Sequence, residues 1–439
     1  MLAIRFKEAL VFSGLIALAC HIHADNPEES SSKASPRSSA SSPTRPLVFG
    51  ILSQPFYDDE SDHDPGDNGY NHTYIAASYV RWLESGGARS IPIPFDAPPF
   101  LVEDILGQVD GVLFPGGGSS LPSSAITIWE LLHSEKYYYP DEKEGRQGDR
   151  IPLWGTCLGM EFIVQLAADV VGSGRKNCEM DRGCAYDRNI LEKGYDSTNV
   201  SWPLLEVRKS GLYKPDSVYE IATTYNVTLN NHHLGISPDR FRNNSGLSRR
   251  FDITSINYDH KGKAFVSTIE PAMEARNTTD LSNPSPFPPP VYGVQYHPEK
   301  NSHEYGLYPG TAIPYEAIDH SQEGVDFSIY EARFLVDLAR KNVLNRIHDG
   351  KKDNKYNKPD LYPMVFTYPR RVGHKFEEKY ILPPAKHWTD KIEALDNSDF
   401  RDRNPEDDGE SEAANSWYRD NWKEQRRAEK LPSLRGRHD

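Results

Sequence analysis

The sequence predicts an α/β fold, a three-layer sandwich in which a mostly parallel central sheet carries helices on both faces. Two observations carry this expectation. Short, continuous apolar runs of strand length recur through the first 300 residues, and segments with helical apolar periodicity separate them. Strands alternating with helices imply parallel pairing, and strands covered on both faces are continuously apolar rather than alternating.

Leu47–Leu52 (LVFGIL) is the first such run. Residues 89–94 (RSIPIP), 110–114 (DGVLF) and 151–154 (IPLW) follow as further buried strands. Between the first two, residues 73–84 place Ile75, Ala76, Tyr79 and Leu83 on one helical face, and Gly86-Gly87 ends the pattern. Residues 126–133 and 161–168 are further helices. Strand patterns return at 264–269 and 291–296, and residues 327–342 form a final amphipathic helix with Ile329, Phe334, Leu335 and Leu338 on its apolar side.

The termini differ in character from this core. Arg5 and Lys7 followed by the apolar run 9–19 read as a signal peptide over residues 1–24, too short to span a bilayer, which takes roughly 20 apolar residues. No later segment is apolar enough to cross a membrane. Residues 25–46 are rich in Ser and Pro and read as a disordered linker. The catalytic domain is placed at 47–349. From 350 to 439 dense charges of mixed sign suggest a solvated extension, although Tyr362, Trp388, Trp417 and Trp422 leave room for a segment that packs back.

A net charge of −14 argues against nucleic-acid binding. Five glycosylation sequons, at Asn71, Asn199, Asn226, Asn243 and Asn277, fit a secretory route. Of the four cysteines, Cys20 falls in or beside the signal segment. Cys157, Cys178 and Cys184 then remain. In an oxidising compartment Cys178 and Cys184, close in sequence, are expected to pair and to leave Cys157 free.

The chemistry centres on Gly155-x-Cys157-x-Gly159, a strand turning into a helix. This is the nucleophile-elbow pattern with Cys in place of Ser. Glycines are needed where the turn is sharp, and the helix N-terminus is expected to lower the thiol pKa. The N–H of Leu158 would face a developing oxyanion, and Gly117, in Phe114-Pro-Gly-Gly-Gly118, would supply the second half of that hole. The strand at 291–296 delivers His297 at its C-terminal end, where open α/β sheets bind ligands. His297 suits the acid/base role, and Glu299 would orient it. In Asn230-Asn-His232-His233 the adjacent histidines face opposite ways in an extended chain and lack a third ligand, so no metal is expected there. His232 is assigned to substrate contact and His233 to structure.

Together, residues 74–88 (YIAASYVRWLESGGA), 109–117 (VDGVLFPGG), 154–159 (WGTCLG) and 292–300 (YGVQYHPEK) resemble the gamma-glutamyl hydrolase family, within the class I glutamine amidotransferase-like (flavodoxin-like) fold. The resemblance runs in blocks from Leu47 to Asn342. It implies hydrolysis of gamma-glutamyl bonds in folate poly-γ-glutamates, with Cys157 as nucleophile, His297 as acid/base, Glu299 as the third member and His232 as a substrate-binding histidine. It further implies no metal or organic cofactor and a secreted, vacuolar or lysosomal location. A folate polyglutamate is the expected partner, no nucleic acid is, and a homodimer remains open. Two other readings fit the same fold. A glutaminase feeding a synthase conflicts with the signal segment and sequons, and a non-catalytic binding module conflicts with an intact Cys157, His297 and Glu299.

Overall fold

The computed structural model describes residues 45–56, 72–134, 150–169, 186–209, 211–272, 289–348, 355–372 and 376–399. The expected signal peptide, nearly all of the linker, Cys178, Cys184, Asn71, Asn277, Trp417 and Trp422 lie outside the described residues.

The chain begins with β1 (Leu47–Leu52), β2 (Gln54–Phe56) and β3 (His72–Ala76). Then come α1 (Ala77–Ser85), β4 (Ala88–Ile93), α2 (Pro99–Gln108), β5 (Gly111–Phe114) and α3 (Ser123–His133). β6 (Leu153–Thr156) leads into α4 (Leu158–Ala167), and β7 (Glu192–Trp202), α5 (Asp216–Thr224) and β8 (Thr228–Gly235) follow. Two short helices, α6 (Pro238–Asn243) and α7 (Ser245–Arg250), precede β9 (Phe251–Tyr258), β10 (Ala264–Pro271) and β11 (Val291–Val294). The chain continues through α8 (Lys300–His303), α9 (Gln322–His348), β12 (Arg370–Val372), β13 (Glu378–Leu382) and α10 (Lys386–Asp399).

The central sheet has the strand order β4-β1-β5-β6-β11-β10-β9. Its first five strands are parallel, and β10 and β9 add antiparallel at one edge. β1, β5, β6 and β11 are buried along their whole length, as strands covered on both faces must be. The fold is therefore the mixed α/β sandwich that the apolar runs predict. Among the described residues no helix is long and apolar enough to cross a membrane.

Two expectations need correction. The helix expected over 73–84 is a strand up to Ala76 and a helix only from Ala77. Thr73, Tyr74 and Ile75 favour a strand locally, and β3 is fixed between two partners, the nearby β2 on one side and β13, far away in sequence, on the other.

The second correction concerns the domain end expected at 349. Residues 355–372 and 376–392 form part of the packed unit rather than a solvated extension. Tyr362, Val365, Leu382 and Trp388 are fully buried. Asp104 on α2 accepts hydrogen bonds from the Tyr362 hydroxyl at 2.5 Å and Lys358 Nζ at 2.6 Å. The Asn357 N–H donates to Gln108 Oε1 at 2.9 Å, and the Ala385 N–H to Asp96 Oδ1 at 3.0 Å. The charged residues Lys358, Asp360, Arg370 and Arg371 are exposed, while Tyr362, Val365, Leu382 and Trp388 point inward.

Candidate active site

The elbow between β6 and α4 puts Cys157 at the N-cap of the helix with φ 51° and ψ −110°. A positive φ at a non-glycine residue is rare and is held only by surrounding structure. Its neighbours show why glycine is required here. A Cβ on Gly159 would lie 2.0 Å from the Phe114 carbonyl oxygen, and one on Gly155 2.6 Å from the Gly159 carbonyl. The Cys157 N–H donates to Val294 O at 2.8 Å, which ties the elbow to the strand that delivers the histidine.

His297 follows β11, and its own N–H donates to Leu229 O of β8 at 2.9 Å. Its Nδ1 is 2.9 Å from Glu299 Oε1, and both side chains are buried. Donation from Nδ1–H to the carboxylate leaves Nε2 as the nitrogen able to take a proton. The glycine-rich loop closes the group. A Cβ on Gly116 would come within 2.7 Å of His297 Cε1 and 3.5 Å of Cys157 Cβ, so loop, imidazole and cysteine meet at one point. The Gly116 N–H is engaged by the Tyr79 hydroxyl at 2.8 Å, whereas Gly117 is exposed.

The thiol departs from the sequence expectation. Burial pushes Cys157 well above the ordinary thiol range, and Glu161 pushes it further. The Leu158 N–H, bonded to the sulfur, and the positive charge of Lys300 pull in the opposite direction, and burial outweighs them. The resting group is a thiol. Burial also raises Glu161 itself to about 7, although the amide of Gln295 donates to its Oε1 at 3.1 Å. Alkylation of Cys157 by iodoacetamide is therefore expected to be slow at pH 7 and to accelerate as pH rises. Glu161→Gln removes an anion that forms above about pH 7. This lowers the thiol pKa and should speed alkylation at pH 8 by about three- to tenfold. An unchanged rate would exclude Glu161 from control of the thiol.

His232 is buried in β8. Its Nδ1 is 2.7 Å from Leu234 O, and its Nε2 has no partner among the described residues. Burial lowers its pKa to about 4, and the neighbouring His297 adds to the effect. The ring is thus neutral, with Nε2 an unused acceptor close to His297. His233 points the other way and is exposed, with Nδ1 3.2 Å from Tyr195 O and Nε2 3.4 Å from Thr198 Oγ1. Asn199, Asn226 and Asn243 are exposed.

Sequence reasoning missed Tyr79, Glu161 and Gln295. Tyr79 is fully buried, its hydroxyl 3.5 Å from His297 Nδ1 and hydrogen-bonded to Glu299, so it joins the glycine loop to the histidine–carboxylate pair. In a helix it looks like one more core residue, and nothing local marks it. The other two carried a signal. Gln295 is two residues before His297 on an extended segment, and Glu161 is four residues after Cys157 on a helix, spacings that put side chains on a common face.

The Peptidase C26 profile matches residues 50–172. The chain is similar to gamma-glutamyl hydrolase of Mus musculus, 33% identical over 61% of this chain and 72% of that protein. It is similar to gamma-glutamyl hydrolase 1 of Arabidopsis thaliana, 30% identical over 76% of this chain and 82% of that one. It is also similar to gamma-glutamyl hydrolase B of Dictyostelium discoideum, 28% identical over 76% of this chain and 81% of that protein.

Proposed function

Because the chain belongs to the gamma-glutamyl hydrolase family, we propose that it cleaves the γ-glutamyl bonds of folate poly-γ-glutamates through a thioester on Cys157. The observation that carries this reading is the meeting of an elbow cysteine with the 2.9 Å His297–Glu299 pair across Gly116.

Cys157 Sγ attacks the γ-carbonyl carbon while its proton passes to His297 Nε2. A thiol with a raised pKa requires this transfer to accompany the attack rather than precede it. The oxyanion is assigned to the N–H groups of Leu158, which is released from the sulfur as the C–S bond forms, and Gly117, since the Gly116 N–H is held by Tyr79. When the C–N bond breaks, His297 gives its proton to the leaving amine, and the γ-glutamyl group remains as a thioester. Water then loses a proton to His297 and attacks the thioester, and the departing sulfur recovers that proton. Glu299 holds the imidazole in one tautomer and offsets its transient charge. His232 Nε2, a neutral acceptor, suits a substrate N–H.

The secretory route, ending in a vacuole, a lysosome or outside the cell, belongs to the same proposal. The signal segment and the exposed Asn199, Asn226 and Asn243 support it.

The test is mass spectrometry of products after incubating pteroyl-poly-γ-glutamate with the purified protein. Shortened pteroyl-glutamates and released glutamate or glutamyl oligomers are expected. An intact substrate, with free glutamine hydrolysed instead, would assign a glutaminase.

A further inference from the structure

We propose that a pocket beside the active site, built by the segment Glu304 to His320, is a subsite for a planar aromatic ring, filled by the pteroyl end of the substrate. This rests on the γ-glutamyl hydrolase reading above and adds to it the place where the non-reacting end of the substrate is held.

The segment is ordered by its own backbone. The Tyr308 N–H donates to Ile313 O and the Tyr315 N–H to Gly306 O, both at 2.9 Å, and Leu307 and Pro314 form an antiparallel bridge. Gly306 is needed for this packing, because a Cβ there would lie 2.5 Å from the Tyr315 ring. The cavity measures about 260 Å³ and is lined by Tyr305, Leu307, Pro314, Tyr315, Glu316 and His320 among others. That volume, just below the ~300–1,000 Å³ of pockets for whole ligands, suits a ring system rather than a complete substrate.

The lining is apolar yet open. Tyr305 is 52% and Leu307 49% exposed, beside Tyr308 at 50% and Ile313 at 61%. A contiguous exposed apolar patch on a well-ordered loop signals a binding surface. The Tyr305 and His320 rings already stack, 4.2 Å apart at 15°, and so offer a flat aromatic surface on which another ring can stack.

The pocket wall is tied to the segment that follows His297 and Glu299. Lys300, next to Glu299, is ion-paired with Glu316 in the pocket wall, and His320 Nδ1 is 2.9 Å from Asn301 O. Burial opposes the Glu316 charge, but Lys300 outweighs it and keeps the carboxyl below its usual range. Asn231 and Lys300 each use one lone pair of this carboxylate, and the remaining lone pairs can accept the N–H edge of an amino-substituted heterocycle. A hydrocarbon ring would leave them unused, so the chemistry favours a ring with donors on its edge. A ring fixed here also sets which γ-glutamyl bond lies over Cys157.

The experiment compares kcat/KM for pteroyl-γ-glutamyl-glutamate with that for γ-glutamyl-glutamate, which lacks the ring, in the wild type, Tyr305→Ala and Tyr305→Phe. The wild type should prefer the ring-bearing substrate. Tyr305→Ala should reduce that preference about tenfold, the effect of losing one good ring contact, and Tyr305→Phe should restore it. Equal preference in wild type and Tyr305→Ala, with both substrates hydrolysed, would overturn the subsite. Hydrolysis of neither substrate by the wild type would overturn the γ-glutamyl reading and the subsite with it.

Discussion

Cys157→Ala is expected to lower kcat by about 10⁴-fold or more, the scale seen when a covalent nucleophile is removed, while leaving substrate affinity nearly unchanged. The reason lies in the geometry. The sulfur is held at a backbone conformation, φ 51°, that an alanine inherits from the same surroundings, so the elbow persists and only the attacking atom is lost. Steady-state kinetics on a pteroyl-glutamate, with equilibrium binding measured separately, separates the two effects. His297→Ala should also act mainly on kcat, since proton transfer belongs to the transition state. Glu299→Gln should cost less than either, because it keeps a side-chain oxygen able to accept from Nδ1 and removes only the charge that offsets the imidazolium. Wild-type turnover in Cys157→Ala would end the thioester mechanism. A Glu299→Gln loss equal to that of Cys157→Ala would mean that Glu299 does more than orient.

The elbow was legible because its requirement is local: three residues of a sharp turn must avoid backbone that the same turn brings close, and glycine answers that in any context. His297 was legible for a related reason, since it stands at the end of a strand whose apolar run is unmistakable. The thiol pKa departs from the expectation because the helix N-terminus is visible in sequence whereas burial is not, and here burial is the larger influence. β3 was hidden inside a helical pattern because its partners are set by contacts spanning about 300 residues, Lys379 with Ala76 and Leu382 with Thr73. Strand propensity is weak beside such pairing, and it reads from neither side alone. Tyr79 was illegible for the opposite reason. Its position in the apolar stripe of α1 is what any core tyrosine would show, and only the fold brings Gly116 and Glu299 to its hydroxyl.

The chain cut after residue 349 is expected to be poorly soluble, or to melt more than about 10 °C below the full chain. Sequence composition suggests the reverse, that a charged tail is dispensable. The structure gives the tail three duties. It buries Tyr362, Val365, Leu382 and Trp388, so its removal exposes the apolar surfaces they cover. It supplies β13, whose loss leaves β3 as an open edge, a template for aggregation. It also braces the wall of the aromatic pocket, where the Glu377 N–H donates to Glu304 Oε2 at 2.7 Å and Phe376 lies 5.2 Å from Lys300 Nζ. A milder variant separates packing from aggregation. Trp388→Ala keeps the whole segment and should cost about 3–5 kcal/mol by leaving a large cavity, read as a lower denaturant midpoint with an unchanged slope. A truncated chain that is monodisperse, melts with the full chain and retains its kcat/KM would show that residues 355–392 rest on the domain without supporting it. If Trp388→Ala is strongly destabilising while the truncated chain is not, the domain reaches its stability by a packing that the full chain replaces, and the boundary returns to residue 349.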